Sequence, residues 1–200
     1  MNYTITPEIA YVTGFLIGDG NLSKSYLIRA VEENKNFAEY FAGVFSEAFK
    51  SVPKIYFDSH NNSFVIYKYS KEIWEFFVKQ LNIPNGTKSR TVRTPVEIMK
   101  SKESIKSAFL SGIFDAEGTV TNYFGSHNRN GYLKIQFKVC NKELAKEVFE
   151  LLKSLDCIAR LYEYSEFSLI SIHGKNNCRV FREKIGFKHP TKNDKLNRLL

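Results

Sequence analysis

Cysteine is scarce and poorly placed for chemistry: Cys140, Cys157 and Cys178 are the only three in 200 residues, and no two share a C-x-x-C spacing. That argues against a zinc site and against a disulfide framework, leaving three small buried hydrophobes in a reducing compartment as the expectation. Histidine is as thin. His60, His127, His173 and His189 form neither an HxH nor an HExxH pattern; an HNH nuclease would need a histidine base beside a metal cluster, and HNRNG (127–131) reads instead as a hairpin turn. No apolar run approaches the roughly 20 residues that cross a bilayer. The opening MNYTITPEIA has neither a basic start nor a small-residue cleavage site, so the expected location is intracellular, in cytoplasm or nucleoid, with an organelle also open. Low-complexity segments are missing too.

What is present in excess is positive charge. With 29 Lys and Arg against 21 Asp and Glu the formal charge is +8. A basic face gains affinity for polyanions through counterion release, although charge alone is equally explained by solubility. At this length and hydrophobic content the chain buries a substantial core, as one large domain or two small fused ones.

The chain repeats itself. FLSGIFDAEGTV (109–120) restates YVTGFLIGDG (11–20), with Gly112 answering Gly14, Glu117 answering Asp19 and Gly118 answering Gly20, at an offset of 117 − 19 = 98. NKNFAEYF (34–41) is echoed by NKELAKEVF (141–149), and LNIPNGTKS (81–89) by IGFKHPTKN (185–193). Each half reads as a helix opened by an N-cap, with proline next in the first copy (Thr6-Pro7), and closed at a glycine. A hairpin, a helix (35–49 or 142–155), a second hairpin and a closing helix (71–81 or 177–185) follow. The fold class is therefore α+β, a tandem duplication of αββαββα units with pseudo-twofold symmetry. The boundaries are set at 1–86 and 104–200, with 87–103 as a linker that is either solvated or tracks phosphate.

The question the first motif raises is why it ends in an acid. A carboxylate in the last turn sits at the negative end of the helix macrodipole, where a cation is favoured. Gly14 and Gly18, and likewise Gly112 and Ala116, are four apart and small, which lets two helices approach closely. If the two pack side by side, Asp19 and Glu117 meet, and a hard divalent cation such as Mg²⁺ would compensate two acids and two dipole ends. A single GDG would be an ordinary helix-ending turn; two matched copies argue otherwise. Asp115 and Glu117 also suggest a D-x-E nuclease core, but position 119 is threonine where that core has lysine, so the pattern fails.

VTGFLIGDG and LSGIFDAEG resemble the two motifs of the monomeric LAGLIDADG homing endonucleases, with Ile17 standing where the family consensus has aspartate. The resemblance covers nearly the whole chain. It implies paired motif helices between half-domains, antiparallel sheets forming a saddle over double-stranded DNA, and a monomer that breaks both strands of a long asymmetric site. It further implies two or three Mg²⁺ ions, replaceable by Mn²⁺, on Asp19 and Glu117 with the Gly18 and Ala116 carbonyls as further ligands. Lys88 and Lys192 fall on the family's lysine, and Asn34 and Asn141 on its helix-opening polar residue. The expectation is a free-standing, intron-encoded enzyme. The alternative is an RNA maturase acting on intron RNA.

In YLKIQFKV (132–139), Leu133, Ile135, Phe137 and Val139 face one way and Tyr132, Lys134, Gln136 and Lys138 the other. Aligning Asn34 with Asn141, 141 − 34 = 107, sets Arg29 opposite Gln136 and Ser25 opposite Tyr132. Ser25, Arg29, Asn34, Tyr132, Lys134, Gln136, Lys138 and Asn141 are the expected DNA face, against a merely solvated sheet. The tyrosines of VIYKYS (65–70) and RLYEY (160–164) fit either a DNA contact or an amphipathic strand; Trp74 and the phenylalanines read as core.

Overall fold

The computed structural model describes residues 3–125 and 128–200, with side chains left aside at 124–130. Helix α1 (Pro7–Asp19) starts where the Thr6 side chain accepts from the Ile9 backbone N–H at 3.3 Å, with proline at the first helical position. It leads without a break into β1 (Gly20–Leu22), then β2 (Leu27–Glu32), α2 (Lys35–Phe49), β3 (Lys54–Asp58) and β4 (Ser63–Tyr69). The next helix, α3 (Lys71–Glu75), continues as a π-helical turn over Phe76–Gln80. After α4 (Val96–Met99) the order repeats: α5 (Glu103–Glu117), β5 (Gly118–Gly125), β6 (Asn128–Val139), α6 (Lys142–Ser154), β7 (Arg160–Glu163), β8 (Ser168–His173) and α7 (Gly174–Lys184). A last helix, α8 (Pro190–Leu199), has no counterpart in the first half among the described residues and was not anticipated from the sequence.

Two four-stranded antiparallel sheets result, ordered β1-β2-β4-β3 and β5-β6-β8-β7. Register confirms the alignment of the halves. Gly20 pairs with Ala30 and Gly118 with Phe137; Asn21 pairs with Arg29 and Thr119 with Gln136. Ile28, Ala30, Ile135 and Phe137 are all buried, so the face opposite Arg29 and Gln136 is the core face in both halves. The closing segments agree as well: Asn82 and Gly186, aligned in the two copies, both adopt positive φ (53° and 67°), and the next residues, Ile83 and Phe187, are both buried.

The motif helices meet through their small residues. A Cβ built on Gly14 would lie 2.2 Å from the Phe109 carbonyl oxygen, and one on Gly112 would lie 2.1 Å from that of Tyr11. Backbone therefore touches backbone, and reciprocally. A Cβ on Gly18 would fall 2.4 Å from the Ala116 methyl. Since residue 11 contacts 112 and residue 18 contacts 116, the helices run in parallel and bring their C-terminal ends together.

Several expectations need correction or refinement. The glycines after the acids close the motif helices as expected, but not in the left-handed conformation common at such caps: Gly20 (φ −93°) and Gly118 (φ −76°) are extended and begin strands. What requires glycine there is space: a Cβ would lie 2.6 Å from the Leu16 carbonyl oxygen and 2.4 Å from that of Phe114. The stretch between the halves is not a solvated linker, since Val92, Thr94 and Ile98 are buried and Arg93 Nε donates to Glu147 at 2.7 Å. Cys157 and Cys178 are buried, burial pushing their thiols up to about 12 and about 11, whereas Cys140 is exposed. The turn expected at HNRNG begins on residue 127, outside the described residues; from Asn128 the chain is already strand.

Candidate active site and DNA interface

Because α1 and α5 end side by side, Asp19 and Glu117 share one electrostatic environment, and each faces the other's lysines. Burial raises the Glu117 carboxyl above its ordinary value, the Asp19 charge raises it further, and Lys88 and Lys192 act in the opposite sense. Asp19 is exposed by surface area, yet desolvation by the surrounding walls still raises its carboxyl; Lys192 and Lys88 pull it down and Glu32 pushes it up. Both lysines are shifted downward by burial and held back upward by the acids.

The lysines do something specific to the helix ends. Lys88 Nζ donates to the Gly18 carbonyl at 2.9 Å. Lys192 Nζ donates to the carbonyls of Ala116 at 3.0 Å and Phe114 at 3.4 Å, and to that of Asp115. Each ammonium thus caps the orphan carbonyls and the negative dipole end of a motif helix. The Gly18 and Ala116 oxygens, expected as metal ligands, are hydrogen-bonded to lysine in this structure.

Among the described residues no three His, Cys, Asp or Glu side chains cluster as a ready-made metal cage. Two carboxylates held above their ordinary protonation range by burial do fit a Mg²⁺-type ion, which uses one or two carboxylates and takes its remaining ligands from water and phosphate. The donor set suits a cation completed by substrate oxygens, and Asp19 and Glu117 would hold it.

Two clefts flank the acids. One, of about 560 Å³, is lined by Asp19, Arg29, Glu32, Ser63, His189 and Lys192 among others. The other, about 220 Å³, is lined by Glu117, Lys88, Ser89 and Lys138 with an apolar floor including Ile17, Val139 and Leu144. In the larger cleft, Arg29 Nε, Ser63 Oγ and His189 Nδ1 are buried without a hydrogen-bond partner, as expected of donors and acceptors that wait for a polar ligand.

Arg29, Lys134, Gln136, Lys138 and Tyr132 lie on the outward faces of β2 and β6 as expected. Tyr67 is the Cα partner of Arg29 and packs edge-on against Tyr56 and Tyr69 on that face. Lys134 lies over the rings of Tyr123 and Tyr132, 5.2 and 5.8 Å from their centroids. Ser25 is exposed in the β1–β2 turn rather than on a strand. Asn34 and Asn141 are helix N-caps: their Oδ1 atoms accept from the Phe37 and Leu144 backbone N–H groups at 3.1 Å each. Asn141 is 4% exposed and its amide also donates to Val92 O at 2.6 Å, so its groups are spent internally and it is not a DNA contact.

Sequence reading missed Asp115 and its partners. Asp115 is buried, its carboxylate accepting from Tyr11 Oη at 2.8 Å and from the backbone N–H groups of Lys188 and His189 at 3.1 and 3.0 Å. His189 Nε2 in turn lies 3.4 Å from Glu32 Oε1. Burial tends to raise the Glu32 carboxyl, but hydrogen bonds from His189 and the Asn34 backbone outweigh it and hold it low. An acid two positions before Glu117, and an offset-107 partner of Glu32 that is valine, were the available signals.

A pair of acids at the joined ends of two glycine-packed helices, with a β-sheet saddle on either side, is the LAGLIDADG fold. Residues 104–186, within the second half, match the model of the LAGLIDADG-like domain. The homing endonuclease I-DmoI in complex with DNA and Mn superposes with a TM-score of 0.64 at 16% identity, covering 92% of this chain and 98% of that one. I-WcaI bound to its DNA recognition sequence gives 0.64 at 14% (96% and 87%), and the N-terminal LAGLIDADG domain of WhiA gives 0.61 at 16% (92% and 87%). Among curated proteins, the chain is 27% identical over 205 residues to glutamine–fructose-6-phosphate aminotransferase of Methanocaldococcus jannaschii, covering 98% of this chain and 18% of that protein. It is 30% identical over 200 residues to the replication factor C small subunit of the same organism (94% and 10%). An uncharacterised M. jannaschii protein matches at 26% over 219 residues (98% and 72%). The chain thus spans less than a fifth of the first two relatives.

Proposed function

We propose that this protein is a site-specific, divalent-metal-dependent DNA endonuclease that breaks both strands of a long asymmetric duplex site. The observation that carries the reading is the joined pair Asp19 and Glu117, each carboxyl raised by desolvation and each facing a half-buried lysine, at the meeting point of two outward sheet faces bearing Arg29 and Lys134–Lys138. The fold alone does not carry it, because WhiA has the same fold and folds host many activities.

Bound there, a divalent cation would supply an activated water and stabilise the leaving oxygen. This chain's own groups do the rest. Asp19 and Glu117 supply the negative charge that retains the cation. Lys88 and Lys192 cap the helix ends, so that the macrodipoles do not repel the incoming phosphates, and place ammonium charge where negative charge develops. Arg29, Lys134, Gln136 and Lys138 fix the register of the duplex across the site.

The relatives bear on how the module is carried. An aminotransferase and a replication factor share no chemistry, yet both match this chain over nearly its full length. A mobile module carried in frame within larger polypeptides fits that distribution.

The test is incubation of supercoiled plasmids carrying a genomic fragment library with the protein in Mg²⁺ or in EDTA. Site-specific linearisation in Mg²⁺ alone, abolished by Asp19→Asn and by Glu117→Gln while DNA binding persists, is expected. Cutting at the wild-type rate by either variant overturns the assignment, and binding without cutting by the wild-type protein points to a purely DNA-binding role.

A further inference from the structure

The two halves differ at one place that the repeat makes conspicuous. By the register of the sheets Glu32 answers Val139, and by the closing segments His189 answers Asn85 and Lys192 answers Lys88. Asp115 answers Ile17. Glu32 of the first half and Asp115 and His189 of the second thus line one cleft beside Asp19, whereas two of their counterparts, Ile17 and Val139, give the cleft beside Glu117 an apolar wall, and the third is Asn85.

Their bonds converge on the start of α8. His189 occupies its N-cap position without a side-chain cap bond, and its backbone N–H and that of Lys188 are held by Asp115 on α5. The His189 imidazole packs on Phe37, 4.6 Å between ring centroids, and reaches Glu32 at the end of β2. One turn further on, Lys192 extends to the carbonyl end of α5. Lys88, by contrast, sits in a non-helical stretch tied by the Gly86 N–H to the Leu22 carbonyl at 2.7 Å, by the Thr91 and Val92 N–H groups to its own carbonyl at 3.0 and 2.9 Å, and by the Asn141 amide to the Val92 carbonyl, with no carboxylate among these ties.

We propose that Glu32 and His189 are positioning residues for one of the two strand cuts: with Asp115 they clamp the start of α8 and hold Lys192 on its carbonyls, while Lys88 is held by backbone turns and the Asn141 amide instead of a carboxylate–imidazole clamp, so the two strands are cut at unequal rates. This inference rests on the endonuclease reading. A misplacement of an ammonium by about 1 Å costs on the order of a hundredfold in rate, so a clamp on one lysine alone is enough to separate the strands kinetically.

The variants Glu32→Val and His189→Asn install what the other half carries at the aligned positions, residues that the same local scaffold already accommodates. A duplex substrate labelled differently on each strand is cut in one tube, so that the ratio of strand rates is independent of the fraction of active protein. The wild-type ratio is expected to differ from unity. The two variants, singly and together, should slow one strand about tenfold and leave the other within about twofold, and the slowed strand should be the one most affected by Lys192→Met. In protein free of metal and DNA, the amides of Lys188 and His189 should lose exchange protection in the variants while that of Gly86 keeps it. Equal wild-type rates, or a ratio the variants leave unchanged, overturn the inference alone. A wild-type protein that cuts neither strand removes the underlying endonuclease reading and this inference with it, and the exchange measurement then reports only on the clamp.

Discussion

Asp19 and Glu117 cost the fold something. Both end helices at the negative dipole and both are raised by desolvation. A carboxyl whose folded value lies above its unfolded value stabilises the fold below the unfolded value, near pH 4, and that contribution is lost as pH rises through the folded value. In metal-free protein Asp19→Asn should therefore be more stable than wild type at neutral pH by about 0.3–1 kcal/mol, the scale of a charge at a helix end. The advantage should disappear below about pH 4, where both are neutral. Thermal melts across pH in EDTA check this, and a variant less stable than wild type at pH 7 contradicts it. Burial raises the Asp115 carboxyl too, but hydrogen bonds from His189, Tyr11 and Lys188 work against that shift, and here removal of the side chain should cost stability. Asp115 accepts three internal hydrogen bonds that Asp115→Ala would strip, at about 1.5–3 kcal/mol for each bond to a charged group before relaxation, so urea denaturation should show a loss of several kcal/mol. The sequence made the first two acids legible because they repeat. Asp115 was not legible, because its partners are backbone groups more than seventy residues away.

Helices and strands carried most of the readable signal. The Thr6 cap, the spans of α2 and α6 and the alternation in β6 follow from local rules. The small-residue spacing also predicted the α1–α5 contact, and its tightness gives a sharp contrast between glycines. At Gly14 and Gly112 the obstacle to any side chain is backbone, which cannot turn aside. Gly14→Leu should cost about 3 kcal/mol or more, the upper end of overpacking, lowering Tm by about 6–12 °C for a chain of this length. Gly43, exposed inside α2 with nothing within 4 Å of a Cβ, is the control. Gly43→Ala should stabilise by about 0.5–1 kcal/mol through helix propensity. Calorimetry on the pair decides whether the helices are locked by contact, and similar effects at both positions would refute it. What local rules could not supply was α8, whose placement depends on Asp115 and Glu32, and the folding of residues 92–98 onto α6 through Arg93 and Glu147.

At the scale of the whole molecule the duplication made the fold readable, since each weak local signal occurs twice and the two sheets then share order and register. The same comparison assigns roles on the saddle. Arg29 and Gln136 hold aligned positions on β2 and β6, whereas Lys138, exposed and 4.1 Å from the Phe167 ring centroid, lies two residues further along β6 in the cleft that holds Glu117 and Lys88. A guanidinium in the groove reads a base pair bidentately, while an ammonium acts as a point charge on a phosphate. Arg29→Ala should thus lose about 1–3 kcal/mol of affinity on the preferred site and relax preference at one or two base pairs. Lys138→Ala should weaken binding to all sequences alike and reduce the slope of log K against log salt by about one. Both are measured by titrating wild type and variants with a randomised site library at several salt concentrations in Ca²⁺ or EDTA, where binding is separated from cutting. A variant pair with unchanged affinity and unchanged salt slope would place the DNA elsewhere, because the +8 charge would then act through another surface.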